Sequence, residues 1–355
     1  MTMRANEQLD VGVIGVGSMG QHHVRVYSSL PDANLVGVFD ADENRARAVA
    51  HDHDTSAMEF DPLLDAVDAI SIAVPTSAHY EIATRCLEAG VAALVEKPVV
   101  GDLETGQDLL ERANSADVLL QVGHIERFNP AVITLAEILD EISVIGLASR
   151  RLGPPPNTKT DDSAVLDLMI HDIDIVLSLL DEVPTSVKGT GVRKNGHVSA
   201  LVEFGPDLMA SLTASHRTQR KVRTLEVTAE EGLFLVDYIN QSIEIHRRSV
   251  PEYVEQNGKI RYRHESSVEH LHVPNEEPLR NELESFLKAV ATNSSPKVTL
   301  EDGLNALEIA EQIEQQGLGT LPKKDTHKRL SNERICATER GRGETRNKQP
   351  SDRGG

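Results

Sequence analysis

One short segment constrains the fold more than any other. Val11-Gly12-Val13-Ile14 is an apolar run, and Gly15-Val16-Gly17-Ser18-Met19-Gly20 follows it directly, ahead of a helical stretch over 22–30. Glycines spaced G-x-G-x-x-G between a strand and a helix suit a tight βα turn. Gly15 allows the turn, Gly17 lets the backbone approach a pyrophosphate, and Gly20 lets the helix pack close to the strand. Ser18 and Met19 open the helix, whose N-terminus then faces the phosphates. A second strand, expected over 34–39, ends in Asp40, 20 residues after Gly20. A carboxylate there accepts hydrogen bonds from ribose hydroxyls and repels a 2′-phosphate. The cofactor expected is NAD. Arg45 stands close enough in sequence to reach a 2′-phosphate, so NADP stays open.

The strand–helix alternation continues. Strands are expected at 69–74, 92–95 and 118–122, and helices at 79–89 and 102–113. Repeated units of this kind imply an α/β domain over 1–124, a Rossmann-type doubly wound parallel sheet. Ligands of such sheets lie beyond the carboxyl ends of the strands. Three polar sets fall there: Pro75-Thr76 with His79, Glu96-Lys97-Pro98, and Gly123-His124 leading to Glu126-Arg127-Phe128-Asn129-Pro130. Each alone is also ordinary loop chemistry.

Taken together, the glycine loop, Pro75-Thr76 with His79, and Glu96-Lys97-Pro98 resemble the glucose–fructose oxidoreductase/inositol dehydrogenase (Gfo/Idh/MocA) family, over about residues 1–320. The resemblance implies an NAD(P)-dependent oxidoreductase acting on a CH–OH group. It assigns cofactor contacts to Gly15, Gly17, Ser18, Met19, Gly20, Asp40, Pro75, Thr76, His79, Glu96 and Lys97. It also carries a catalytic lysine onto Lys97 and a commonly cis proline onto Pro98.

After Pro130 the pattern changes. A helix is expected at 131–139 and a strand at 144–152, followed by Gly153-Pro154-Pro155-Pro156. The helix expected over 164–180 is apolar on nearly every side. Its polar residues Asp167, His171, Asp174 and Ser178 are spaced i, i+4, i+7 and i+11, which places them on one face. Polar groups on a buried helix need partners. An internal network meets that need. So does an acid–base pair in which Asp167 orients His171. No metal is expected, since no third ligand cluster accompanies His171 and Asp174. The D-x-x-x-H pattern matches the second catalytic motif of the family, which the resemblance carries onto Asp167 and His171. Either His171 or Lys97 can be the base. A protonated Lys97 stabilises an alkoxide, whereas one with its pKa lowered by burial takes the proton.

From about residue 187 the chain alternates like a β-meander, with strands expected at 198–204, 208–213, 224–228, 233–236 and 242–246. An amphipathic helix over 300–316 closes it. Residues 125–320 are thus expected to form an α+β domain with a large open, mostly antiparallel sheet. The resemblance implies that a second copy covers the open face, in a homodimer or homotetramer.

The segment 123–130 is similar to that of family members, bacterial and (halo)archaeal, that oxidise the 3-hydroxyl of UDP-N-acetylglucosamine. It implies a nucleotide-sugar substrate, with Arg127, Asn129, Arg151 and Asp174 as its expected binding residues. Arg150, Arg217, Arg220, Lys221 and Arg223 are further cations for a diphosphate. Exposed hairpins carry such charges for solvation as well. A free sugar or inositol needs none of them, and a non-catalytic cofactor-binding regulator needs no Lys97, Asp167 or His171.

Composition narrows the partners. Asp plus Glu is 56 against 36 Lys plus Arg, a net charge of −20. Such a surface repels polyanions, so neither nucleic acid nor an anionic membrane is an expected partner. The charge is uneven: residues 322–355 carry +5, and the rest carries −25. The tail has only Leu330 and Ile335 as large apolar residues and is expected to be disordered. An acidic body with 12 Lys to 24 Arg across the chain suits high salt, where charge repulsion is screened. An ordinary acidic enzyme has the same sign. Cys86 and Cys336 build no disulfide scaffold, and no apolar run reaches the roughly 18 residues of a transmembrane helix. The opening residues lack an apolar h-region, so the cytoplasm is the expected compartment.

Overall fold

Short runs of β-branched and small residues, buried on both faces, build the first sheet. Its strands are β1 (Leu9–Ile14), β2 (Ala33–Phe39), β3 (Ser56–Ala57), β4 (Ala69–Ile72), β5 (Ala92–Glu96) and β6 (Leu120–Gly123). All pair in parallel, in the order β3-β2-β1-β4-β5-β6. The order reverses at β1, between β2 and β4, and a crevice opens at the carboxyl ends of strands at such a reversal. The connecting helices are α1 (Ser18–Tyr27), α2 (Glu43–Asp52), α3 (Phe60–Leu64), α4 (His79–Ala89) and α5 (Leu103–Ala116). Asp42 and Asp102 cap α2 and α5 by accepting first-turn N–H groups. The computed structural model describes residues 8–139, 141–155, 163–192, 196–247, 252–256, 259–263 and 267–317, with only the backbone of 252–256 and 259–263. The 321–355 tail expected to be disordered lies outside them.

After α6 (Pro130–Leu139) the chain builds a second, eight-stranded sheet. Its members are β7 (Val144–Leu152), β8 (Ser186–Val192), β9 (His197–Phe204), β10 (Leu208–Ser215), β11 (Val222–Ala229), β12 (Gly232–Asp237), β13 (Ser242–Arg247) and β16 (Ser267–Leu271). β14 (Glu252–Gln256) and β15 (Lys259–Arg263) form a separate hairpin. The order is β16-β13-β12-β11-β7-β10-β9-β8, antiparallel except for the parallel β7–β10 pair. Strand alternation sends Val198, Ala200, Val202, Phe204, Leu212, Leu225 and Phe234 to one face. There they pack against α6, α7 (Ile170–Leu180) and α9 (Leu300–Gly317). On the other face Leu201, Met209, Leu233 and Leu235 stand outside the core.

The two sheets divide near residue 124, but the last helices do not follow that division. α8 (Pro278–Thr292), which the periodicity reading passes over, returns to the first sheet. Its Leu279, Leu283, Phe286 and Leu287 share one core with Val11, Val24 and Leu94. α9 serves both halves: Leu304 and Leu307 join the first sheet's core, while Ile309, Ala310 and Ile313 join the second's. A parallel sheet needs cover on both faces, and here the chain supplies part of it from its far end.

Candidate active site

The glycine loop leaves β1 where the strand order reverses. Gly15 has φ +85, and a Cβ there would lie 2.7 Å from the Ala73 carbonyl oxygen. A Cβ on Gly20 would lie 1.8 Å from the Gly15 carbonyl oxygen, so α1 packs this close only with glycine. Around Gly17 a Cβ would meet nothing within 4 Å, and no side chain caps the first N–H groups of α1. Open space and free N–H groups at a helix start suit a pyrophosphate. Asp40 lies against this loop, accepting from the N–H of Val16 at 2.8 Å and that of Asp42 at 2.8 Å. Arg45 is turned onto the acids, 3.3 Å from Asp40 and 3.4 Å from Asp42. The residues present therefore fit NAD.

Pro75 and Thr76 begin a single 3-10 turn (Thr76–Ala78) at the carboxyl end of β4. His79, expected among the cofactor contacts, is buried instead. Its Nδ1 lies 2.9 Å from the Pro98 carbonyl oxygen and its Nε2 2.9 Å from that of Val74. It braces the Lys97–Pro98 turn, whose peptide bond is cis. Burial lowers the His79 pKa.

Glu96 and Lys97 diverge. Glu96 points inward, with its Oε1 3.0 Å from His23 Nε2. Burial raises the carboxyl pKa, but the His23 hydrogen bond and the His23 and Lys97 charges outweigh it and hold Glu96 below its usual value. Lys97 reaches the second half of the chain. Its Nζ donates to the Asp167 carbonyl oxygen at 2.8 Å and lies 3.4 Å from Asp167 Oδ1. The other oxygen, Oδ2, lies 2.9 Å from Nε2 of His216, just beyond the end of β10.

This corrects the expected Asp167–His171 pair. The helix expected over 164–180 begins as a π turn, Val165–Met169, and becomes α-helical only at Ile170. A π turn is wider than an α turn, so residues four apart no longer stack. Asp167 therefore holds Lys97 and His216. His171 stays in the same region, with its Nδ1 buried and, among the described residues, without a partner. Burial first, then the charges of Lys97 and Arg151, push its pKa well below the usual 6.5. The imidazole is neutral at neutral pH. His124 is also buried, with neither nitrogen bonded and Nδ1 4.0 Å from Asp174.

The four residues expected to bind substrate are engaged with one another and their neighbours. Arg127 is bidentate to Asp174, at 2.8 and 2.9 Å. Arg151 is bidentate to Asp172, at 2.9 and 2.9 Å, and also donates to Glu126 at 2.7 Å. Burial disfavours the Arg151 cation, but the two carboxylates outweigh burial and raise its pKa. Asn129 donates to Glu126 at 3.0 Å and to the Tyr238 carbonyl at 3.1 Å. A buried guanidinium needs a carboxylate, and α7 provides one for each arginine. Asp172 and Asp174 are two residues apart, so they point to different partners. Asp172 escaped the reading of the polar face because it stands off that face. His23, inside α1, and His216, just after β10, belong to no sequence motif.

Residues 9–124 match the profile of the oxidoreductase family with an NAD-binding Rossmann fold, and 145–235 match the GFO/IDH/MocA C-terminal domain. The chain belongs to the Gfo/Idh/MocA family. UDP-N-acetylglucosamine 3-dehydrogenase from Acidithiobacillus ferrooxidans is 31% identical over 291 residues, 79% of this chain and 88% of that one. The scyllo-inositol 2-dehydrogenase (NAD(+)) of Bacillus subtilis is 34% identical over 262 residues, 67% of this chain and 77% of that one. A solved structure of the A. ferrooxidans enzyme superposes with TM-score 0.79 at 30% identity, covering 87% of this chain and 98% of that one. As a Gfo/Idh/MocA member the protein is an NAD-dependent oxidoreductase of the sugar and polyol dehydrogenase class. Among the described residues, no helix is long and apolar enough to cross a membrane.

Proposed function

We propose that this Gfo/Idh/MocA oxidoreductase oxidises the 3-hydroxyl of UDP-N-acetylglucosamine to a ketone. The observation that carries the chemistry is the meeting of Lys97, at the carboxyl end of β5, with Asp167 and His171 from the start of the buried helix. The likeness to the A. ferrooxidans enzyme and the 123–130 segment support the sugar nucleotide.

When bound, NAD would supply the hydride acceptor. The first N–H groups of α1 would hold its pyrophosphate and Asp40 its ribose hydroxyls. His171 takes the hydroxyl proton, since its neutral ring has a free lone pair at the working pH. Lys97 donates a hydrogen bond to the same oxygen and stabilises the charge that develops there. Asp167 holds the ammonium in place, and His216 holds Asp167.

A neutral polyol is the competing substrate. It is favoured by one observation: Arg127 and Arg151 are neutralised inside the protein. The test is NADH absorbance after mixing enzyme and NAD with UDP-N-acetylglucosamine or with myo-inositol, hydrazine trapping the ketone. NADH forms with the sugar nucleotide, and His171→Ala lowers kcat by roughly 100- to 10,000-fold. A signal with myo-inositol alone transfers the proposal to the polyol. Undiminished turnover by His171→Ala removes His171 as the base.

A further inference from the structure

With Arg127 and Arg151 held by carboxylates, a substrate diphosphate needs another cation. We propose that Arg223 recognises a phosphate of the substrate, an inference that rests on the sugar-nucleotide reading above. Arg223 stands on β11, opposite Arg151 on β7. Its Nη1 donates to the carbonyl oxygens of Leu152 at 2.6 Å and Val222 at 2.8 Å. Among the described residues it forms no ion pair, and its Nε and Nη2 donate to nothing. The acids nearby are already committed: Asp172 and Glu126 both bind Arg151.

The half-buried guanidinium is thus anchored by backbone and left without a bonded counter-ion. Burial first, then the like charge of Arg151, lower its pKa. An anion arriving at its free N–H groups relieves both penalties, and a planar fork of donors suits phosphate oxygens. Among the described residues, Gly153 leaves one side of the guanidinium uncovered by a side chain. A Cβ there would already touch the two terminal nitrogens at 3.9 and 4.0 Å, and a longer side chain would cover them. Arg223 is close enough to act electrostatically on both His171 and Asp167. An anion on Arg223 would thus sit in the neighbourhood of the proposed catalytic groups. Arg220 and Lys221, nearby in sequence, are exposed and lack this setting.

The test uses the NAD-saturated protein, wild type and two variants, Arg223→Gln and Arg223→Lys. UDP and inorganic pyrophosphate are titrated calorimetrically, and UDP-N-acetylglucosamine kinetics are measured alongside. Arg223→Gln is expected to weaken UDP binding and raise KM for the sugar nucleotide, each by roughly 10- to 100-fold. Its kcat stays within about threefold, because the contact persists from bound substrate to transition state. Arg223→Lys recovers part of the loss, and NAD affinity is unchanged in both. Oxidation by Arg223→Gln with an unaltered KM overturns the role of Arg223 and leaves the substrate reading intact. UDP binding that depends on Arg223, without oxidation of the UDP-sugar, supports the anion site and overturns the substrate reading. Failure of the wild type to bind UDP or pyrophosphate overturns the anion site itself. If Arg223→Gln loses NAD binding through misfolding, Arg223→Lys decides: an unchanged KM overturns the proposal, since a lysine cannot reproduce the planar fork.

Discussion

The two walls of the site are held by different physics. The cofactor wall is mostly backbone: a loop of glycines, the free start of α1, and one carboxylate that accepts from Val16, 24 residues before it. The opposite wall, proposed to face the substrate, is made of side-chain pairs between distant residues. Lys97 and Asp167 are 70 apart, Asp167 and His216 49, Arg127 and Asp174 47, and Arg151 and Asp172 21. At Gly15 and Gly20 the first wall has no room for an added atom. The second tolerates no lost partner at Arg151, Asp172 and Asp174, whose charges are buried. A single substitution therefore acts through space on one wall and through unpaired charge on the other.

The largest effect should come from the paired wall. Arg151→Ala strands the buried carboxylates of Asp172 and Glu126, and urea unfolding should show about 3–5 kcal/mol of lost stability. NAD affinity, which depends on the other wall, should change little. A loss below about 1 kcal/mol would mean that water replaces the guanidinium and that the contrast between the walls is weaker than drawn.

Next comes the backbone wall. Gly20→Ala places a Cβ 1.8 Å from the Gly15 carbonyl oxygen, so the loop must shift. NADH titration by fluorescence should show affinity falling by roughly 10- to 100-fold, for an overpacking cost of about 1–3 kcal/mol. Unchanged affinity would show that the loop yields without losing its fit.

The smallest effect is in pH dependence, and it tests where the walls meet. The His171 pKa is lowered below 6.5, so the proton-accepting form persists as pH falls toward that value. In oxidation, kcat/KM should hold from about pH 8 to about 6.5 and decline only below, as the ring protonates. Stability has the same sign. Below about pH 6.5 the unfolded chain binds the proton before the folded one does, so this residue's contribution is lost as pH falls. An acid limb centred above about pH 7 would assign the base to another group.

Local periodicity was enough for much of the fold. The helix expected at 79–89 and the strand at 144–152 coincide with α4 and β7. In α8 the apolar residues Leu279, Leu283, Phe286 and Leu287 follow helical spacing, but nothing near them in sequence announces that they cover the first sheet. At the site, Lys97, Asp167 and His171 were legible as motif residues. Their partners were not. His79 turns inward, where its single N–H can serve one of two flanking carbonyl oxygens, and Asp167 turns to Lys97 and His216 because the helix opens with a π turn.

By itself the sequence determined the parallel sheet, the glycine loop with Asp40 beneath it, and Lys97, Asp167 and His171 as candidate residues. Those follow from contacts within a few tens of residues, where spacing decides geometry. Only the tertiary structure decided which charges are spent on one another. It placed Asp172 and Glu126 on Arg151 and Asp174 on Arg127, and among the described residues it left Arg223 bonded only to backbone. A buried charge is satisfied by whatever the fold brings within about 3 Å, and no local pattern records which residue that will be.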